Sequence, residues 1–277
     1  MRFGLHRSAV VAVLTCLSSG VNGQSTLILG AGKQSQSGPY TAGFKIHSMH
    51  KLGDGTTITH DSTYIKTIDS EGRRFIGITD AATGESPEHS IFEIYDPAAR
   101  TTTRWNVPGK LVSIEKLPPP YEPGQPRRCW ARDEIEAREP SRANEYPGSE
   151  ISSTKLDELD NRGLTTWKKA SGEHAEKENL GTRSFFGVEA VGERTTLTIP
   201  AGAIGNDAPI VRMFEVLRSK SPEMVVRMVM DDPRTGKRTR ELVEFTPGEP
   251  DPSIFLPPEG YETKTVGWHE TSCMQPH

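Results

Sequence analysis

Alternation of apolar and polar side chains constrains the fold of this chain more than any other feature of its sequence. Between Tyr40 and Ile46 every second residue is apolar, while Thr41 and Lys45 occupy intervening positions. A period of two is typical of a β-strand that buries one face. Asp54-Gly55 follows, and this dipeptide favours a tight hairpin turn. The start of the pattern therefore predicts antiparallel strands joined by short turns.

The same alternation recurs in two separate stretches. Residues 40–117 predict about five strands, with Asp96-Pro97 at one of the turns. Residues 179–267 predict further antiparallel strands, with another turn at 232–236. Since a single β domain can exceed about 200 residues, we predict one mainly β domain, an antiparallel meander built from both stretches.

A segment of different character separates the two stretches. Residues 118–178 contain seven Pro, 13 acidic and 10 basic residues, but only five residues of the types Leu, Ile, Val and Phe. This composition buries too little apolar surface to offset the entropy lost when a chain becomes ordered. We therefore predict that a long, charged, Pro-rich linker, disordered or loosely helical, interrupts the β domain.

The N-terminus predicts export. Two arginines precede a short apolar run, and small residues precede Gln24. This pattern is typical of a cleavable signal peptide, here residues 1–23, followed by a flexible segment at 24–39. A buried N-terminal helix and lipidation of Cys16 are the alternatives. Because no apolar run approaches about 18 residues, the mature chain is predicted to be periplasmic or secreted and not membrane-spanning.

Charge and motifs exclude several functions. The formal net charge is -4, so no nucleic-acid partner is predicted. No phosphate-binding loop and no G-x-S-x-G hydrolase motif occurs. His47 and His50 would lie on opposite faces of a strand, so no metal site is predicted. His60-Asp61-Ser62 cannot converge on one substrate from adjacent strand positions. We therefore predict a non-enzymatic protein without a cofactor.

A stripe of methionines marks one predicted strand. Met224, Val226, Met228 and Met230 alternate along it. Methionine is flexible and polarisable, and it suits surfaces that accommodate variable apolar ligands. An ordinary core strand would show the same pattern, so both interpretations stay open. The candidate residues for lining a ligand site are Met213, Phe214, Met228 and Met230.

Two cysteines remain after the predicted signal peptide, Cys129 and Cys273. Exported thiols are commonly oxidised, and only one intramolecular pairing exists. A disulfide between them would tether the C-terminal tail, residues 268–277, to the predicted linker. Two free thiols are the alternative.

Several short motifs of this chain resemble those of a family of secreted bacterial β-proteins without an assigned activity. The resemblance covers residues 40–106 and 179–262. Its motifs are Asp69–Arg74, Ile94–Pro97, Leu180–Arg183, Gly187–Ala190, Thr198–Asp207, Ser221–Met224 and Gly248–Phe255.

More remotely, the GTR…GVEA turn and the ending PDPSIFLPPEGY are similar to periplasmic lipoprotein carriers of the LolA/LolB type and to RseB-like regulators. The resemblance implies a half-open barrel or strongly curved sheet with a concave apolar face. Such a face would hold an apolar ligand or a lipidated protein, so lipid or lipoprotein is the implied partner. The alternative is a structural or envelope-stress module that binds a protein and no small ligand.

Overall fold

The computed structural model describes residues 38–82, 88–120, 128–133 and 174–271. Their regular structure consists of fourteen strands and one 3₁₀ helix, without an α-helix in the described ranges. The predicted mainly β fold is therefore confirmed. The predicted signal peptide, residues 1–23, lies outside the described residues.

The strands fall into two groups: six precede the predicted linker, and eight begin within it or after it. The first group is β1 (Tyr40–Lys51), β2 (Thr57–Ile68), β3 (Arg74–Asp80), β4 (His89–Asp96), β5 (Thr101–Val107) and β6 (Leu111–Lys116). The second group is β7 (Cys129–Arg132), β8 (His174–Phe185), β9 (Val188–Ile199), β10 (Ile210–Lys220), β11 (Glu223–Asp232), β12 (Gly236–Pro247), β13 (Glu262–Val266) and β14 (Trp268–Thr271).

Twelve of these strands form one sheet, in the order β13-β6-β5-β4-β3-β2-β1-β12-β11-β10-β9-β8. The sheet is curved and is not closed into a barrel. Neighbouring strands are antiparallel except β13 and β6, which are parallel. The mainly antiparallel arrangement predicted from the sequence is therefore observed, and the single parallel pair arises because β13 follows a long crossing connection instead of a hairpin. β7 and β14 form a separate two-stranded sheet.

The two sequence halves meet in the middle of the large sheet. β1 pairs with β12 as well as with β2, so Phe44 lies opposite both Leu242 and Tyr64. This pairing joins the first and last parts of the described chain by backbone hydrogen bonds. It supports the prediction of one β domain built from both halves.

The segment predicted as a linker contains regular structure. β7 lies within residues 118–178, and β8 begins at His174. The predicted tail, 268–277, likewise contains β14, which pairs with β7. Composition missed β7 and β14 because a strand of four residues is stabilised by its pairing partner rather than by an apolar run of its own. Residues 134–173 of the predicted linker lie outside the described residues.

The central strands bury one face, which we call the inner face. On it, Phe44, Tyr64 and Leu242 are each at most 2% exposed. The rings of Phe44 and Tyr64 pack with centroids 5.3 Å apart. The opposite, outer face carries Lys45 and Asp61, which are largely exposed. The alternation seen in the sequence of β1 thus corresponds to burial of its inner-face residues.

The outer face of β3, β4 and β5 is also buried. It carries Phe75, Phe92 and Trp105, whose ring centroids lie 5.5 Å apart for the first pair and 4.8 Å for the second. The connection from β12 to β13, residues 248–261, runs to the far edge of the sheet, and we call it the strap. Its 3₁₀ helix contacts β3 and buries Phe255 in the same core.

Candidate functional site

A β-bulge divides the methionine stripe on β11. Leu217 of β10 pairs with Arg227, but the next residue, Arg218, pairs with Val225, so Val226 has no partner on β10. A bulge of this kind changes which residues share a face. Met224 and Val226 consequently belong to the large core.

The remaining part of the stripe belongs to a smaller group on the inner face, which we call the methionine cluster. Its members are Phe214, Val216, Val225 and Met228, with Met230 packed against them. Phe214 lies opposite Met230 and Val216 opposite Met228, on paired strands. Phe214 and Met228 are each 2% exposed. Met230 is only partly buried and forms one border of the cluster.

The structure brings three of the four predicted lining residues together. Phe214, Met228 and Met230 lie in the methionine cluster. Met213 lies on the outer face, opposite Asp231 and Thr196 on the neighbouring strands. Adjacent residues of a strand point to opposite faces, so Met213 and Phe214 cannot line one surface. The alternation of faces along a strand is enough to predict this separation from the sequence.

Arg240 lies between the methionine cluster and the large core. Its strand partners are Ile46 and Met228, and it is 1% exposed. Its guanidinium carbon lies 4.6 Å from the ring centroid of Phe44. Its Nη2 donates a hydrogen bond of 3.1 Å to the carbonyl oxygen of Val225. Sequence reasoning missed Arg240, although it lies two residues before the buried Leu242 on the same face of β12.

The inner face ends in polar side chains beside the methionine cluster, and we call this border the basic rim. It consists of Arg212, Arg234, Arg238, Asp232, Asp80, His60 and His89. Within it, Arg234 donates to both carboxylate oxygens of Asp232, at 2.9 and 2.7 Å. His60 Nε2 lies 3.1 Å from Asp80 Oδ1. Some side chains of the rim, such as Arg234 and Asp232, thus form close pairs, and others lie further from a group of opposite charge.

Burial shapes the electrostatics of the basic rim. Burial and, to a smaller extent, the positive charge of Arg240 lower the pKa of Arg238 to about 10, while Asp80 acts in the opposite direction. Burial and then the neighbouring Arg234 lower the pKa of Arg212. A guanidinium stays protonated at neutral pH under such shifts. The rim thus holds incompletely hydrated positive charge next to apolar side chains.

The residues of the His60-Asp61-Ser62 sequence separate onto the two faces. His60 engages Asp80 on the inner face. Asp61 engages His47 on the outer face, with 2.5 Å between Oδ1 and Nδ1. This arrangement agrees with the expectation that adjacent strand residues do not converge on one substrate. No group of three or more His, Cys, Asp or Glu side chains in the described part of the chain could hold a metal ion.

Cys129 is disulfide-bonded. Its partner cysteine lies outside the described residues. Pairing of β7 with β14 places Thr271 directly opposite Cys129, two residues before Cys273 along the chain. The bond between Cys129 and Cys273 therefore stays a prediction, which this register supports.

The chain matches no protein-family model, and no curated protein matches it either. Among solved structures, it is similar to a DUF1329 family protein from Desulfovibrio piger, with 10% identity over 80% of this chain and 91% of that chain and a TM-score of 0.35. A LolA superfamily protein from Nitrosomonas europaea shares 8% identity over 80% of this chain and 91% of that chain, with a TM-score of 0.28. LprF from Mycobacterium bovis shares 12% identity over 78% of this chain and 90% of that chain, with a TM-score of 0.29.

The LolA superfamily, expected from the sequence, is thus among the proteins that this chain resembles, and the likeness is remote. No helix in the described ranges is long and apolar enough to cross a membrane.

Proposed function

We propose that this chain is a non-enzymatic extracytoplasmic protein that binds an apolar ligand, or the acyl chain of a lipidated protein, on the inner face of its sheet. The observation that supports this most is the methionine cluster. It is separate from the large core and contains two methionines and a phenylalanine. Flexible thioether side chains can repack around ligands of different shape.

The partly exposed border of the methionine cluster offers a route by which an apolar ligand could enter it. Met230 is partly exposed and lies opposite Arg238, which is also only partly buried. Phe214 and Met228 behind it are almost fully buried. An apolar ligand would therefore displace Met230 first and then insert between Phe214 and Met228. The cost is moderate, because a methionine at a border has several rotamers of similar energy.

The proposed location is outside the cytoplasm, either periplasmic or secreted. The support for it is the sequence pattern of residues 1–23, with basic residues, a short apolar run and small residues before Gln24. Expression of the full chain with an antibody tag, followed by fractionation, checks this location. Recovery of the unprocessed chain only in the cytoplasm would contradict it.

The test of ligand binding uses the purified mature chain and the neutral fluorescent probe N-phenyl-1-naphthylamine. We expect saturable binding and co-purified lipid in native mass spectra. Met230→Gln should weaken probe binding about tenfold, because it places an amide in the apolar site. Met213→Gln is the matched control on the outer face, and it should leave binding unchanged. Absence of both probe binding and extractable lipid would show that the methionine cluster is ordinary core.

A protein-interaction module without a small ligand is the second candidate function. It is favoured by β8, which forms one edge of the large sheet and whose side chains are nearly all exposed. An edge strand offers unpaired backbone groups to an added strand of another protein. A pull-down from envelope extracts separates the two functions. Capture of a protein partner by a chain that binds no apolar probe would favour the module.

A further inference from the structure

We propose that the ligand of the inner face is anionic, and that Arg238 and Arg212 of the basic rim bind its carboxylate or phosphate headgroup. This inference rests on the proposed function, because it names the chemical class of the ligand for the same face. The ligand is then an amphiphile, with an apolar chain among Phe214, Met228 and Met230 and a negative headgroup at the rim.

The strand register places both arginines at the border of the methionine cluster. Arg238 lies opposite Met230 on the neighbouring strand. Arg212 precedes Phe214 by two residues, so the two side chains share the inner face of β10. The Cα atoms of Arg212 and Arg238 are two strands and two residues apart, roughly 12 Å from strand geometry. Two long arginine side chains can converge on one headgroup across such a span.

Among the described residues, Arg238 has no close counter-ion. Within the part of the chain that the structure describes, its side chain makes no hydrogen bond and no ion pair. Asp80 acts on it only at a distance, and that carboxylate is already engaged by His60. A partly buried charge without a close partner loses hydration energy that nothing nearby replaces. An anionic headgroup would supply the missing partner.

The charge balance of this region points in the same direction. Among the described residues, two carboxylates, Asp80 and Asp232, act on the guanidinium groups of Arg212, Arg234 and Arg238, and Arg240 adds a fourth positive charge beside them. Arg234 is hydrogen-bonded to Asp232, whose charge also acts on Arg212, and Arg240 contacts the carbonyl of Val225 and two aromatic rings. Positive charge is therefore in excess at the partly exposed border of the methionine cluster.

Several arginines elsewhere in the sheet are matched with carboxylates. On the outer face, Arg194 contacts Glu178 and Glu215, and Arg227 contacts Glu215 and Glu241. The excess of positive charge at the rim is thus not a general property of the sheet. Arginine suits a headgroup site because its planar fork binds carboxylate and phosphate through two parallel hydrogen bonds.

The experiment compares two probes with the same chain, cis-parinaric acid and its methyl ester, on the mature protein. We expect the acid to bind about tenfold more tightly than the ester, since a hydrogen bond to a charged group is lost in the ester. Arg238→Gln should weaken binding of the acid about tenfold and leave the ester unchanged. Arg238→Lys should restore part of the loss. Lys237→Gln, one residue away on the outer face, is the matched control and should change neither.

A second experiment tests a phosphate headgroup. It measures how well lysophosphatidic acid displaces the bound methyl ester of cis-parinaric acid, and monoacylglycerol is the neutral competitor. Preference for either anionic amphiphile that depends on Arg238 supports the inference. Equal binding of charged and neutral amphiphiles, unaffected by Arg238→Gln, would overturn it while leaving the proposed function intact. Failure of all probes to bind would overturn both. Thermal unfolding of Arg238→Gln and of the isosteric Arg238→Met identifies any variant that does not fold.

Discussion

Arg240 lies over the ring of Phe44, with its guanidinium carbon 4.6 Å from the ring centroid. It approaches the ring of Tyr64 at 5.3 Å and donates a hydrogen bond to the carbonyl oxygen of Val225. Aromatic faces and a backbone carbonyl thus replace part of the hydration that this charge loses on burial. A cation fills space in the core that an apolar residue usually occupies.

Shortening Arg240 should therefore be costly mainly through lost packing. Arg240→Ala is expected to lower the free energy of unfolding by about 3 kcal/mol, because it leaves a cavity against two aromatic rings. Arg240→Met fills the space and removes a desolvated charge, so it should cost less than about 1 kcal/mol. Urea denaturation measures both. The exposed Arg183→Ala is the control, expected within about 0.5 kcal/mol of wild type; equal losses in both Arg240 variants would contradict the packing explanation.

The turn between β8 and β9 carries a bulky residue in an unfavourable conformation. Phe186 has a φ of 51° and is 59% exposed, and Gly187 follows with a φ of 81°. Two-residue hairpin turns with positive φ at both positions prefer Asn-Gly. Phe186→Asn should raise the free energy of unfolding by up to about 1 kcal/mol, and the β-branched Phe186→Val should lower it. Thermal and urea unfolding give the sign; stabilisation by Val would refute the prediction.

His89 should make stability depend on pH. Burial lowers the pKa of His89 below its ordinary value of 6.5, and the charge of Asp80 only partly offsets this. The unfolded chain then binds the proton more tightly than the folded chain, so stability is complete above about pH 6.5 and falls as the pH decreases below it. In the His89→Gln variant, the free energy of unfolding should depend less on pH between about pH 7 and pH 5. An unchanged slope in that variant would exclude His89 as its cause.

The disulfide of Cys129 should join it to Cys273. The support is the β7–β14 register, which brings Thr271 opposite Cys129. Peptide mapping of protein that was exported and purified without reductant should recover the two cysteines in one linked peptide. Removing the bond by Cys273→Ser should release the C-terminal tail to proteases and have little effect on the large sheet. Recovery of Cys273 as a free thiol would end the prediction.

Cleavage between the two halves should leave them associated. β1 and β12 pair over ten residues of β1, and β13 pairs with β6, so strands from both sides of the predicted linker share one sheet. Limited proteolysis is expected to cut within 118–178, where few apolar residues occur. Gel filtration should then show both fragments eluting together at native size. Fragments that separate and remain folded would contradict the single-domain prediction.

Local sequence predicts the strands of this fold better than their pairing. The alternation in β1 and the Asp54-Gly55 turn depend on neighbouring residues only, and both are visible in the sequence. The parallel contact of β13 with β6 depends on a connection that crosses the sheet, and short strands such as β14 depend on a distant partner. Pairing over such distances leaves no periodic signal.

The same contrast between local sequence signals and strand pairing applies to the candidate site. Alternation within β10 is enough to place Met213 and Phe214 on different faces. The bulge at Val226 is a property of how β10 and β11 pair, so the sequence pattern extended the stripe too far. The arginines of the basic rim were passed over because charged residues are usually exposed. Their position becomes informative only when β10, β11 and β12 lie side by side.

The strap has a consequence for the order in which the chain can become complete. A chain synthesised from its N-terminus makes Phe75, Phe92 and Trp105 early, but Phe255, which lies in the same core, comes near the end. Until then, aromatic surface from the early strands has no cover from this segment, and β1 still lacks its partner β12. The sheet and its aromatic core therefore cannot be completed before β12 and the strap have been synthesised. An arrested or truncated product would expose apolar aromatic surface to chaperones and proteases.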